Sequence, residues 1–127
     1  MSFTALLVDD DAMVLQTIKT VFEKRQFVVS TAVSAAQALS VLEQQSFDLV
    51  VTDMRMETDT AGFEVVRRAK AISHPPVAVI LSAFPIPAFD WRDAGADAMY
   101  VKGGGVFRIL DEIEQLLHSH VQSPPAA

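Results

Sequence analysis

Five polar side chains each follow an apolar run of the sequence, and their types favour chemistry at one shared site. They are Asp9 and Asp10 after residues 5–8, Asp53 after residues 49–52, Ser82 after residues 77–81, and Lys102 after residues 97–101. Three carboxylates that lie together repel one another and raise one another's pKa unless a cation sits among them. A hard divalent cation with oxygen ligands meets this need, and Mg²⁺ is the ion that we expect.

Phosphoryl transfer is the chemistry that this set of side chains favours. The reaction asks little covalent chemistry of a protein and mostly needs positioning and neutralisation of charge on the phosphoryl oxygens. With a cation held by the carboxylates, Asp53 can present a free oxygen as the nucleophile. Ser82 and Lys102 can each take one phosphoryl oxygen. Taken singly, such residues more often cap a helix or face solvent, but the run of three aspartates at residues 9–11 exceeds what capping requires.

The elements that must position these residues alternate between strand and helix. The apolar runs are short and continuous, as in strands that are buried on both faces. We predict strands at residues 5–8, 27–31, 49–52, 77–81 and 97–101, and helices at residues 12–24, from Ser34 onward, after Gly62 to about Ile72, at residues 88–94 and from Val106 onward. This alternation predicts a parallel sheet with helices on both faces. In such sheets, chemistry lies at the carboxyl ends of the strands.

Length and composition restrict the class of protein further. A chain of 127 residues with a net charge of −6 forms one domain and lacks the clustered Lys and Arg that nucleic-acid phosphates require. No apolar run approaches the roughly 18 residues of a membrane span, and no signal peptide opens the chain. Cysteine is absent, which excludes disulfides, thiolate metal sites and a thiol nucleophile. We therefore expect a cytoplasmic protein with no membrane contact and no direct nucleic-acid contact.

Five short motifs at the ends of these elements resemble the receiver domain of two-component response regulators. In chain order they are LVDDD at residues 7–11, DLVVTD at 48–53, LSA at 81–83, GAD at 95–97 and YVK at 100–102. Each motif is weak alone, but five in this order are specific. The resemblance covers nearly the whole chain and implies a flavodoxin-like (βα)5 doubly wound sheet with strand order 2-1-3-4-5. It predicts a receiver domain over residues 1–121 and a flexible tail over residues 122–127.

The resemblance also implies a role for each residue of the site. Asp53 would accept a phosphoryl group from the phosphohistidine of a sensor histidine kinase or phosphotransfer protein. Ser82 and Lys102 would bind that group, and a shift of Ser82 would rearrange the face formed by the fourth helix, fifth strand and fifth helix. Family members also use this face for pairing, so a homodimer is possible. The implied Mg²⁺ ligands are Asp9 (mostly through water), Asp10, Asp53 and the backbone carbonyl of Arg55.

Two loops over the site depart from the family pattern. Met56 is followed by Glu57 where family members commonly have proline, and Gly62 comes one position later than usual. The loop after the acceptor aspartate therefore carries an inserted residue. Lys102 is followed by Gly103 instead of a cis-proline, so we expect this second loop to be all trans.

Three apolar or aromatic residues near these loops lead to further predictions. The family's switch aromatic normally lies three residues before the lysine, a position held here by Met99. Tyr100 is one place along and should face the opposite side of the sheet, so aromatic switching by Tyr100 is not expected. Phe84 comes two residues after Ser82. We hypothesise that its ring limits the attack of water and lengthens the life of a phosphorylated state.

Two other functions fit parts of the sequence. One is a receiver-like protein-interaction module that works without phosphorylation, and the two altered loops favour it. The other is an aspartate-dependent phosphohydrolase of a related α/β type. Those enzymes usually have a second aspartate two residues after the nucleophile, and this chain has Arg55 there. We therefore predict a regulatory phosphoacceptor with self-catalysed phosphotransfer and autodephosphorylation, and not an enzyme.

Overall fold

The computed structural model of the chain describes residues 2–103 and 105–122, the last two by their backbone alone. Strands and helices alternate through these residues in the order β1 (Thr4–Val8), α1 (Ala12–Lys24), β2 (Val28–Ala32), α2 (Ala35–Gln44), β3 (Leu49–Thr52), α3 (Ala61–Lys70), β4 (Val77–Ser82), α4 (Ala88–Ala94), β5 (Ala98–Val101) and α5 (Val106–Gln122). The strands form one sheet in the order β2-β1-β3-β4-β5. All its pairings are parallel, which confirms the predicted flavodoxin-like fold. The tail predicted from residue 123 onward lies outside the described residues.

The register of the central strands aligns their carboxyl ends at one edge of the sheet. Val8 of β1 pairs with Thr52 of β3, which in turn pairs with Ile80 of β4. The ladder continues one residue beyond β3, since the Asp53 backbone N–H donates to the Val8 carbonyl over 2.8 Å. Every residue of β3 is buried, as expected of a continuous apolar strand covered on both faces.

Successive residues of each central strand pack against helices on opposite faces. Leu7 of β1 belongs to a cluster with buried residues of α1 and α5, whereas Leu6 and Val8 belong to a cluster with α2 and α3. On α5, Leu110, Ile113 and Leu117 recur at helical spacing and are almost completely buried. Truncation of one such leucine to alanine typically costs about 2–5 kcal/mol of stability, so this helix is firmly held on the sheet.

Side-chain hydrogen bonds cap the first turns of α1 and α2. The Asp11 carboxylate accepts hydrogen bonds from the backbone N–H groups of Met13 and Val14 over 3.0 and 3.2 Å. At α2, the Ser34 hydroxyl accepts from the N–H of Gln37 over 3.0 Å. The Gln37 side chain reaches back to the N–H of Val33, one residue before the position that a capping box uses.

Helix α3 begins at Ala61, and Gly62 therefore lies inside its first turn instead of before it. The Gly62 N–H donates to the Met54 carbonyl over 2.8 Å. A Cβ atom at Gly62 would come within 2.4 Å of the Asp53 carbonyl oxygen, so only glycine permits this approach. Thr60 makes no side-chain capping hydrogen bond, so the backbone contact between Gly62 and Met54 is the one that holds this first turn against the end of β3.

Candidate functional site

Three carboxylates converge at the carboxyl edge of the sheet. Asp9 and Asp10 follow β1, Asp53 follows β3, and one oxygen from each lies within 4.8 Å of the others. Asp9 is buried, Asp53 is half-buried and Asp10 is exposed. The cluster thus extends from a buried carboxylate, Asp9, to a solvent-exposed one, Asp10.

Lys102 reaches this cluster from the end of β5. Its Nζ donates a hydrogen bond to Oδ2 of Asp9 over 2.8 Å and lies 3.4 Å from Oδ1 of Asp53. The backbone of Lys102 is fixed by its N–H, which donates to the carbonyl of Ser82 over 2.7 Å. The lysine thus contacts the two carboxylates of the cluster that are less exposed than Asp10.

Hydrogen bonds orient the two more buried carboxylates. The N–H of Asp11 donates to Oδ1 of Asp9 over 2.9 Å, so both Asp9 oxygens are engaged. The N–H of Met54 donates to Oδ1 of Asp53 over 2.8 Å, the same oxygen that Lys102 approaches. The second oxygen of Asp53 receives no hydrogen bond from the described residues. This is the arrangement that a nucleophilic carboxylate requires, since one oxygen is held and the other is available.

The pKa values of the site reflect burial and close charges. Burial is the main cause that raises the pKa of Asp53; the Lys102 charge lowers it in part, and the Asp9 charge raises it further. For Lys102, burial alone would lower the pKa, but the hydrogen bond to Asp9 and the charge of Asp53 raise it above the ordinary value. The lysine is therefore a cation at neutral pH.

The acidic cluster fits a hard divalent cation. Three carboxylates face one ammonium group, so two negative charges remain without a positive partner when all are ionised. All the side-chain donors are carboxylate oxygens, which Mg²⁺ prefers, and the exposed side of Asp10 leaves room for the waters that this ion usually keeps. The donor set and the unbalanced charge thus support the Mg²⁺ site predicted from the sequence.

Ser82 lies at the end of β4, between the strands that carry Asp53 and Lys102. Its side chain is buried, and its hydroxyl accepts a hydrogen bond from the N–H of Phe84 over 3.3 Å. It makes no recorded hydrogen bond to the carboxylates. The sequence therefore predicts its place at this edge correctly, while the hydroxyl engages the following loop.

Arg55 and Phe84 meet above the site, across the loops that follow β3 and β4. The Arg55 guanidinium carbon lies 5.5 Å from the centre of the Phe84 ring, within the range of a cation–π contact. Nε of Arg55 also lies 4.0 Å from the Asp59 carboxylate. Sequence reasoning assigned only the Arg55 backbone carbonyl a role. It missed this side-chain contact because nothing in the spacing of the two residues indicates that their loops touch.

Glu57 makes a second contact that sequence reasoning missed. Its two carboxylate oxygens accept hydrogen bonds from the N–H groups of Ala35 and Ala36 over 2.9 and 3.0 Å, at the start of α2. These hydrogen bonds, from Ala36 first and then Ala35, lower the pKa of Glu57. The departure from proline at this position was visible in the sequence, but the partner of the carboxylate was not.

Met99 and Tyr100 point to opposite sides of the sheet, as their spacing from Lys102 predicts. Met99 packs against a buried cluster on the α3 side of the sheet, which Trp91 of α4 also contacts, whereas Tyr100 packs against the cluster that contains α5. Burial is the first cause that raises the pKa of Tyr100, and the charge and hydrogen bond of Glu112 add to it. Met99 and Trp91 of α4 thus share one buried cluster, and Tyr100 belongs to another.

Comparison with known proteins gives a single family. A family model described as the response regulator receiver domain matches residues 5–114. The alginate biosynthesis transcriptional regulatory protein AlgB of Pseudomonas putida is 35% identical over 94 residues, which are 74% of this chain and 20% of that protein. The photosynthetic apparatus regulatory protein RegA of Cereibacter sphaeroides is 32% identical over 103 residues, covering 73% of this chain and 55% of RegA. The chain thus spans about a fifth of the length of the AlgB relatives.

Solved structures agree with this fold. A CheY-like receiver domain protein from Methanospirillum hungatei has a TM-score of 0.86 at 23% identity and covers 96% of this chain and 98% of its own. The response regulator TrrA of Thermotoga maritima, solved in complex with Mg²⁺ and BeF, has a TM-score of 0.79 at 22% identity, with 90% of this chain and 98% of TrrA covered. Among the described residues of the present chain, no helix is both long and apolar enough to cross a membrane.

Proposed function

The chain belongs to the response regulator receiver domain family, and on that premise we propose that Asp53 is its phosphoacceptor. The donor is the phosphohistidine of a sensor histidine kinase or phosphotransfer protein. The family supports a phospho-accepting, regulatory role in general terms. The assignment to Asp53 is supported by one observation above all, the convergence of Asp9, Asp10 and Lys102 on this carboxylate.

Each side chain of the site has a separate role in phosphoryl transfer. The oxygen of Asp53 that receives no hydrogen bond forms a P–O bond as the P–N bond of the phosphohistidine breaks, and the electron pair returns to the imidazole nitrogen. Lys102 offers its ammonium to a phosphoryl oxygen, and Ser82 offers its hydroxyl to another. Mg²⁺ would be held by Asp9, Asp10, Asp53 and the carbonyl of Arg55, and it would neutralise negative charge on the phosphoryl group.

We propose that phosphorylation of Asp53 changes the conformation of the end of β4 and of α4. Ser82 would turn from Phe84 toward the phosphoryl group and disturb the loop that leads into α4. Met99 would respond, since it packs against the same buried cluster as Trp91 of α4. Tyr100 would take little part, because it packs on the α5 side with its phenol near Glu112. The face formed by α4, β5 and α5 would then bind a partner or a second copy of the chain.

A small phosphodonor tests this function directly. Wild-type protein incubated with Mg²⁺ and acetyl phosphate should gain the mass of one phosphoryl group and change the fluorescence of Trp91, the single tryptophan. Asp53→Asn should show neither change. Asp59→Asn, which alters an exposed aspartate of the same loop, should behave like the wild type. A wild-type protein that gains no mass under these conditions contradicts the proposal and favours an interaction module that works without phosphorylation.

A further inference from the structure

The Glu57 carboxylate joins two segments that are distant in the sequence. It lies in the loop between β3 and α3, and its partners Ala35 and Ala36 are the first two residues of α2. The first N–H groups of a helix have no partner inside the helix. Glu57 satisfies two of them with one oxygen each, and Ser34 satisfies that of Gln37. Both oxygens of the Glu57 carboxylate and both N–H groups of α2 are therefore engaged, although the Glu57 side chain lies at the surface.

The same loop is anchored at both of its ends. Near β3, the Met54 carbonyl accepts a hydrogen bond from the N–H of Gly62, and the Met54 N–H is bound to Asp53. In its middle, the side chain of Met56 packs against the cluster that contains Ala35. Arg55 lies between these fixed points, and its own side chain is largely exposed. The position of the Arg55 backbone thus depends on the contacts of Met54, Met56 and Glu57.

We propose that Glu57 is a positioning residue for the Mg²⁺ site, because it ties the loop to α2 and so holds the backbone of Arg55 beside Asp53. This inference rests on the proposed function only in taking the Arg55 carbonyl as a ligand. A ligand that is already held in place loses less conformational freedom on binding than one in a free loop. Removal of the tie should therefore weaken Mg²⁺ binding, even though Glu57 itself does not contact the ion.

Mg²⁺ titration of the purified protein, followed by Trp91 fluorescence or calorimetry, tests this role. Glu57→Ala should weaken Mg²⁺ binding about tenfold, as is typical when a residue that supports a metal ligand is removed. Glu57→Gln, which keeps one acceptor oxygen, should weaken it less. Ser34→Ala removes the other cap of α2 but does not touch the loop. Glu23→Gln removes the charge of an exposed residue of α1, on the opposite face of the sheet from α2. Both should bind Mg²⁺ within about twofold of the wild type.

Hydrogen exchange in metal-free protein supplies a second readout. The amides of residues 54–59 should exchange faster in Glu57→Ala than in the wild type or in Glu23→Gln. Unchanged Mg²⁺ affinity in Glu57→Ala, or equal weakening in Ser34→Ala, overturns the inference. If Glu57→Ala does not fold, Glu57→Gln decides the question by the same two measurements.

Failure of this inference is distinguishable from failure of the proposed function. Wild-type protein that is phosphorylated on Asp53, together with a Glu57→Ala variant of unchanged Mg²⁺ affinity, overturns the positioning role alone. Wild-type protein that binds Mg²⁺ but is not phosphorylated, together with weakened Mg²⁺ binding in Glu57→Ala, overturns the phosphoacceptor role and supports the positioning role.

Discussion

Lys102 donates a hydrogen bond to Asp9 over 2.8 Å, across the carboxyl edge of the sheet from β5 to β1. The lysine lies farther from Asp53, at 3.4 Å. In this arrangement, its charge neutralises the most buried carboxylate of the cluster. A phosphoryl group on Asp53 would compete with Asp9 for the ammonium group of Lys102. A cation bound in the acidic cluster would repel the same ammonium group.

Replacement of Lys102 by methionine should separate these two effects. The rate of phosphorylation of Asp53 by acetyl phosphate should fall about 100-fold, the usual loss when one donor to a developing anion is removed. Mg²⁺ binding should become tighter, because a competing cation has left Asp9. Mass spectrometry measures the phosphorylation rate, and Mg²⁺ titration measures the affinity for the ion. Lys24→Met, at an exposed position of α1, is the control. Wild-type phosphorylation kinetics in Lys102→Met would contradict the assigned role.

Gly62→Ala should destabilise the protein, although alanine favours helices. The added Cβ would lie 2.4 Å from the Asp53 carbonyl oxygen, and such overpacking costs about 3 kcal/mol, offset by about 1 kcal/mol of helix preference. We expect a net loss of about 2 kcal/mol in the free energy of unfolding, measured by urea denaturation. Gly105→Ala is the control, because its nearest neighbour would be 3.9 Å away. Equal stability of the two variants would show that α3 moves aside freely.

Phe84→Ala should shorten the life of the phosphorylated protein. The Phe84 ring contacts the Arg55 guanidinium across the loops that follow β3 and β4, and loss of the ring should open a path for water to the acylphosphate. The first-order loss of phosphoryl mass after removal of the donor should be several-fold faster than in the wild type. Phe89→Ala truncates another exposed phenylalanine, one that lies on α4, and should leave the rate unchanged. If Phe84→Ala loses its phosphoryl group at the wild-type rate, the hypothesis that the Phe84 ring limits the attack of water is wrong.

Tyr100 should ionise only at a pH above the ordinary tyrosine range. Its pKa is raised by burial first and then by Glu112. Because the folded pKa exceeds the unfolded value of about 10, the protein should lose stability as the pH rises through that value toward the folded pKa. The chain has one tyrosine, so the ultraviolet absorbance of phenolate reports this residue alone.

Glu112→Gln should move the Tyr100 titration toward lower pH, because it removes a nearby negative charge while burial remains. Glu114→Gln is the matched control, because Glu114 lies two residues further along α5 and pairs with Arg25. A midpoint that Glu112→Gln leaves unchanged would mean that burial alone raises the Tyr100 pKa.

The sequence by itself determined the succession of strands and helices along the chain and the parallel direction of the strands, whereas their order across the sheet was implied by the family resemblance. Continuous apolar runs marked the strands that are buried on both faces, and the predicted helices occupy the segments between them. Because parallel strands end at the same edge, the positions of Asp9, Asp53, Ser82 and Lys102 followed from where each run stops. The structure brings the three charged residues of this set together, with Asp10, and places Ser82 on the strand between them. Their chemical roles remain predictions.

Only the tertiary structure decided how the loops over this edge are held. The start of α3 at Ala61 depends on the close approach of Gly62 to the Asp53 carbonyl. The partner of Glu57 lies more than twenty residues earlier in the chain. Such contacts have no periodic signature, because they join irregular segments whose paths depend on the packing of the elements that they connect. The sequence thus marks the ends of the strands, whereas the geometry of the loops above them is a property of the packed fold.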